Sequence, residues 1–220
     1  MKLSSGGVKV LAFASIFIIG VAIAYQILSP KTSLKIYQPK DINPRLVDGS
    51  LQSTGSGHTI KPFRLLDQDS NLVTLKSIEG KIIVADFIFT TCPSICPKMT
   101  KNMAKVASEF ISRDDFVILS HTVTPELDPP SVLKAYAEEN KAPHNWKFLT
   151  GDRSEIYNLA RKSYFAALDE PSKEGPDFVH TENFVLVDKE GRLRGFYDGT
   201  SPLETERLIK EIEILYNEYE

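Results

Sequence analysis

Hydrophobic and polar positions divide the 220-residue chain into three stretches that differ in period. From Val10 to Leu28 the run VLAFASIFIIGVAIAYQIL carries no charge. Nineteen residues of helix reach roughly 28 Å, close to the hydrocarbon thickness of a bilayer. A single transmembrane helix over 10–28, behind a short tail at 1–9, is the reading this predicts. The alternative is a signal peptide cut after Ala24, since Ala22-Ile23-Ala24 fits a small-x-small site; the length of the run favours the anchor. Residues 29–57, with Pro30, Pro39, Pro44 and the GSLQSTGSG tract, show no period and read as a tether. Residues 58–220 then carry regular patterns over a length that suits one domain.

Within that domain, Phe63 to Leu66 and Leu72 to Leu75 predict a hairpin, because DQDSN between them supplies turn chemistry. Ile82 to Phe89 is apolar except for Asp86, the pattern of a strand covered on both faces. Met99, Met103, Val106 and Phe110 then recur at spacings of four, three and four, one face of a helix, so the two methionines read as core rather than as thioether ligands. Phe116 to Leu119 predicts a second buried strand, and Pro130 opens a helix with Leu133, Tyr136 and Ala137 on one side. Trp146 to Leu149 predicts a third strand, and Asp152 with Glu155 opens the next helix in capping-box fashion. After the long loop LDEPSKEGPDFVHTE, Asn183 to Asp188 and Leu193 to Tyr197 form a second hairpin, and Ser201 caps a helix carrying Leu208, Ile212 and Leu215. A hairpin, a βαβα core and a closing ββα unit make an α/β, thioredoxin-like fold.

Charge narrows the partners. A net charge of −3 and a pI near 5.9 leave no basic footprint for nucleic acid. No arginine precedes Arg45, which does not fit a mitochondrial transit peptide, so a bacterial envelope protein is the better reading. Lys2 and Lys9 precede the apolar run and Lys31, Lys35, Lys40 and Arg45 follow it, so the positive-inside rule does not orient it.

The two cysteines, Cys92 and Cys96, sit between the first core strand and its helix, where open α/β sheets place their ligands. With Pro97 at a first helical position, Cys96 lies at the helix N-terminus and is expected to be the more acidic thiol. Such a pair closes a disulfide, exchanges thiols with a partner, or holds a metal. An inert staple across so short a loop adds little stability, and exchange motifs usually have two intervening residues where three stand here. A structural zinc site needs four ligands, whereas two thiolates and one imidazole suit copper. Among His58, His121, His144 and His180, only His180 lies on a long irregular loop of the kind that carries function. His121 closes a strand, His58 marks the tether junction and His144 neighbours Trp146, so these three read as structural or surface residues.

Phe87-x-Phe89-Thr90-x-Cys92-Pro93-x-x-Cys96-Pro97 resembles the F-x-F-T-x-C-P-x-x-C-P signature of the Sco/SenC copper-delivery proteins, which assist assembly of the binuclear copper centre of cytochrome c oxidase. His180-Thr181, Val185-Leu186 and Gly191 resemble that family's H-S-x-x-x-Y-L-x-x-P-x-G, and Val123-Thr124-Pro125-Glu126-x-Asp128-x-Pro130 resembles its V-D-P-E-R-D-T-P. The resemblance covers the domain from about Ile60 to the final helix. It implies a chaperone that binds one copper ion, Cu(I) or Cu(II), through Cys92, Cys96 and His180 and delivers it to the oxidase subunit with the binuclear centre. It also implies a single-pass protein of the bacterial cell membrane with its domain on the periplasmic or extracytoplasmic side. The alternative is an enzyme, a thiol-disulfide oxidoreductase in which Cys92 and Cys96 act on cysteines of the oxidase or other envelope proteins. A peroxidase-like redox sensor is a third reading. Thr124 and Val179 stand where the family has Asp, which alters the surroundings of the ligands rather than the ligands; Asp177 is placed to replace the second.

Overall fold

The computed structural model describes residues 13–21, 23–24, 33–51, 56–167 and 182–220. Residues 13–21 and 23–24 are helical, with Phe13, Ile16, Phe17 and Ile19 exposed. The rest of the 10–28 run lies outside the described residues, and no helix among the described residues is long and apolar enough to cross a membrane.

In the domain, β1 (Arg64–Leu66) and β2 (Leu72–Thr74) form an antiparallel hairpin. The Asp67 carboxylate closes its turn by accepting the N–H groups of Asp69 and Asn71. A separate five-stranded sheet runs, in spatial order, β5 (Trp146–Leu149), β4 (Phe116–Thr122), β3 (Ile82–Ile88), β6 (Asn183–Val187) and β7 (Leu193–Asp198). β3, β4 and β5 are parallel, β6 is antiparallel to β3, and β7 is antiparallel to β6. The helices are α1 (Cys96–Glu109), α2 (Pro130–Glu139), α3 (Arg153–Lys162) and α4 (Pro202–Glu218). This is the α/β, thioredoxin-like arrangement that the order of elements predicts.

Side chains alternate along a strand, so one strand feeds two cores. Ile82, Val84 and Ile88 pack with Met99, Met103 and Val106 of α1, Leu133 of α2, and Leu208 and Ile212 of α4. Ile83, Ala85 and Phe87 pack with Ile156, Leu159 and Ala160 of α3 and with Leu65 and Val73 of the hairpin. Both faces of β3 and β4 are therefore covered, which explains their near-unbroken apolar runs. Met99 and Met103 are fully buried in the first of these cores.

Two elements depart from what periodicity predicts. β4 continues past Leu119 to Thr122, because Ser120, His121 and Thr122 stay in register with Asp86, Phe87 and Ile88. The Ser120 and Thr122 hydroxyls survive burial by bonding internally: Ser120 donates to Asp86 and Thr122 to Asp128. Part of the stretch read as a tether is docked on the domain. The Tyr37 N–H bonds the Leu193 carbonyl at 2.8 Å, and Val47 is buried. Arg194, itself buried, donates to the Leu34 and Lys35 carbonyls and pairs with Asp188 and Glu218. Single anchors and backbone bonds leave no periodic trace in a sequence.

β3, β4, β5 and β7 all end at one edge of the molecule, and β6 begins there. The turn that carries the cysteines follows β3 at this end.

Candidate metal centre

Backbone pairing holds β3 in place up to the cysteine turn: the Val123 N–H bonds the Ile88 carbonyl at 2.8 Å. Beyond it, the Cys92 N–H returns to the Phe89 carbonyl at 3.2 Å, and α1 starts at Cys96 with Pro97 in its first turn. Among the described residues, no side chain caps α1. Pro97 has no N–H, and the Lys98 and Met99 N–H groups bond the Ile95 carbonyl at 3.0 and 3.1 Å, so within the first turn the Cys96 N–H is the one left for an acceptor.

The acceptor is Cys92. Burial opposes ionisation of this thiol, but the backbone N–H groups of Cys96 and Ser94, the Cys96 thiol and the Ser94 hydroxyl (3.7 Å) outweigh it and bring its pKa down to about 7. Cys96 is pushed up to about 12, first by burial, with its donation to Cys92 and the charges of Cys92 and Asp86 adding to the effect. The expected order of acidity is therefore reversed. Cys96 lies within the first turn and is 1% exposed, so burial dominates its thiol; Cys92 lies ahead of the helix, is 7% exposed, and receives the Cys96 and Ser94 N–H groups. Both are free thiols.

Asp86, the one break in the β3 apolar run, faces the same side of the sheet as α1. It is 1% exposed, and Ser120 Oγ donates to it at 2.5 Å while accepting from Trp146 Nε1 at 2.8 Å. Burial raises its pKa to about 7, with the Ser120 bond offsetting only part of the shift. The sequence marks Asp86 as an exception without showing that it lies under the thiol pair.

The histidines separate cleanly. His121 is fully buried on the opposite face of the sheet from α1, stacked on Phe87 at 4.9 Å, with Nδ1 3.3 Å from the Asp86 carbonyl and no partner for Nε2 among the described residues. Burial pushes its pKa down to about 4. His58 is buried against Phe165, with Nε2 2.9 Å from the Ser163 carbonyl. His144 is exposed just ahead of β5, at the far end of the sheet from the thiols. His180 lies outside the described residues, as do Asp177 and Val179. The described chain resumes at Glu182, whose carbonyl accepts the Gly199 N–H at 2.7 Å, and enters β6 at the thiol end of β3. Among the described residues, no group of three His, Cys, Asp or Glu side chains gathers in a metal-holding cluster.

Chemically, the described part of the site is two soft donors in mutual contact, one already near neutrality as a thiolate. Such a pair suits a soft cation or a thiol exchange partner.

The sequence model of a protein family, SCO1/SenC, matches residues 51–217. The SCO1 protein homolog of Bacillus subtilis is 36% identical over 159 residues, which cover 70% of this chain and 81% of that one. The structure of BsSco, described as a member of the Sco family of cytochrome c oxidase assembly proteins with a disulfide switch, superposes with a TM-score of 0.62 at 35% identity, covering 71% of this chain and 92% of that one. ScoI of Bradyrhizobium japonicum, solved with copper bound, superposes with a TM-score of 0.55 at 28% identity, covering 70% and 98%.

Proposed function

Because this chain belongs to the SCO1/SenC family, we propose that it is a membrane-anchored copper chaperone for cytochrome c oxidase assembly. Cys92, Cys96 and His180 take one copper ion as cargo and pass it by ligand exchange to the oxidase subunit that carries the binuclear copper centre. The observation that carries this reading is the pairing of the two thiols at the start of α1, where Cys92 is held near neutrality by the Cys96 and Ser94 N–H groups. His180 is the proposed third ligand because it lies two residues before Glu182, which is fixed at the thiol end of β3. Two residues of extended chain span roughly 7 Å. The exposed apolar helix over 13–21 supports an anchor within 10–28, and the resemblance to Sco/SenC proteins supports a domain on the extracytoplasmic side.

The residues act in a simple order. Cys92, largely ionised above pH 7, meets the metal first; Cys96 gives up its proton only when the cation replaces it, so affinity falls with acid. Two thiolates and one imidazole form a low-coordinate set that an incoming soft donor displaces one ligand at a time. The test is transfer: two equivalents of copper-loaded soluble domain are mixed anaerobically with the copper-free oxidase domain, the proteins are separated, and copper is found with the oxidase domain by metal analysis. A mixture in which copper stays with this protein contradicts delivery.

A second reading, thiol-disulfide exchange, is favoured by the difference in acidity of the two thiols. The Cys92 thiolate attacks a partner disulfide, forming a mixed disulfide and releasing one partner thiolate, which takes a proton. Cys96 then attacks Cys92, closing Cys92–Cys96 and releasing the second partner thiol, so the partner gains two electrons and two protons. Cys96→Ser stops this sequence at the mixed disulfide, and its absence from cells that express the variant contradicts exchange.

A further inference from the structure

We propose that Asp128 is a positioning residue of the cysteine turn: its carboxylate fixes the turn against β4 and thereby sets the mutual placement of Cys92 and Cys96. The part of this concerning copper rests on the chaperone reading above.

Asp128 lies in the connection from β4 to α2 and is 1% exposed. Among the described residues no cation pairs with it; neutral donors alone surround the carboxylate. The Thr90 hydroxyl donates to one oxygen at 2.5 Å. The other oxygen accepts from the Thr122 hydroxyl at 2.5 Å, the Thr124 hydroxyl at 3.0 Å and the Thr90 N–H at 3.4 Å. A carboxylate bonded in this way is held by charge-assisted bonds, about twice as strong as neutral ones.

An Asp just before a helix usually caps it, but this one does not. The residue flanking α2 is Pro129, and among the described residues no side chain caps that helix. The Asp128 carboxylate instead bridges two chain segments, Thr90 on one side and Thr122 with Thr124 on the other. The bridge stands where backbone pairing ends. β3 and β4 are joined up to Ile88 and Val123, and Thr90 is the second residue beyond. Phe89, between them, gives its carbonyl to the Cys92 N–H and its own N–H to the Cys96 sulfur. Displacement of Thr90 therefore moves both sulfurs.

The test uses Thr90→Val, which removes only the hydroxyl donor, and Asp128→Asn, which keeps one acceptor. Asp152→Ala, which removes the N-cap of α3 on the other face, serves as a control of general destabilisation. Amide hydrogen exchange at Cys92 and Cys96 is measured in the metal-free proteins, and copper affinity by anaerobic titration. Thr90→Val and Asp128→Asn are expected to speed exchange at both amides by about tenfold and to weaken copper binding, whereas Asp152→Ala changes neither. Wild-type protection in both turn variants overturns the proposal, as do loosened amides with unchanged copper affinity. If Asp128→Asn fails to fold, Thr90→Val decides alone. Wild-type protein that binds no copper contradicts the chaperone reading, and the exchange data then decide on positioning by themselves.

Discussion

The Cys92 sulfur accepts the backbone N–H of Cys96, so the first turn of α1 stabilises the thiolate of the cysteine outside the helix, not the one within it. Burial and donation to Cys92 keep Cys96 protonated. One turn of chain thus gives two thiols of the same sequence motif opposite acidities.

Alkylation of the metal-free, reduced protein by iodoacetamide should follow a midpoint of about pH 7 at Cys92, with Cys96 remaining unmodified at that pH. Peptide mass spectrometry across pH separates the two. Faster reaction at Cys96, or an ordinary thiol midpoint at Cys92, contradicts the assignment.

Asp86 sets a pH dependence of stability. Its folded pKa, about 7, lies above the usual carboxylate value, so between about pH 4 and 7 the folded state holds a proton that the unfolded state has lost. Stability therefore falls as pH rises through that window, by up to about 4 kcal/mol from this group. Asp86→Asn keeps an acceptor for Ser120 and should be more stable than wild type at pH 8, with a smaller difference at pH 4. Urea midpoints that move in parallel for both proteins at all pH values refute this.

His121 works in the opposite sense. Its folded pKa is lowered to about 4, so stability is present above the ordinary imidazole value and is lost as pH falls from about 6.5 toward 4. His121→Phe, which preserves the ring contact with Phe87, should remove this acid loss and leave copper binding intact, because the side chain faces away from α1. Loss of copper binding in a folded His121→Phe protein would place this histidine in the metal site after all.

Met99 and Met103 provide the control for core packing. Each is fully buried, and substitution by Ala should cost about 2–5 kcal/mol by denaturant titration. Copper stoichiometry should not change in either variant; a change identifies a thioether ligand.

Most of the fold is legible in the sequence because its signals are local. The Ile82 to Ile88 run, the stripe from Met99 to Phe110 and the Ser201 cap each name an element within a few residues of its ends. What the sequence conceals depends on partners far along the chain. Ser120 and Thr122 look like the end of a strand until Asp86 and Asp128 are seen to satisfy them. Residues 34–51 look like a tether because what anchors them is distant in sequence: Arg194 at the Leu34 and Lys35 carbonyls, and the Leu193 carbonyl at the Tyr37 N–H. For the site, spacing identifies the cysteine pair but not its acidities, which follow from the N–H groups that reach Cys92 and from the burial of Cys96.

A copper site completed by a histidine distant in sequence from the thiols is tested by anaerobic copper titration of the soluble domain with and without His180→Ala. Wild type should bind one copper ion with a thiolate charge-transfer band in the Cu(II) form. The variant should lose that band and weaken by more than the roughly 10- to 100-fold that loss of an outer partner causes. An unchanged spectrum and affinity in His180→Ala would contradict the account.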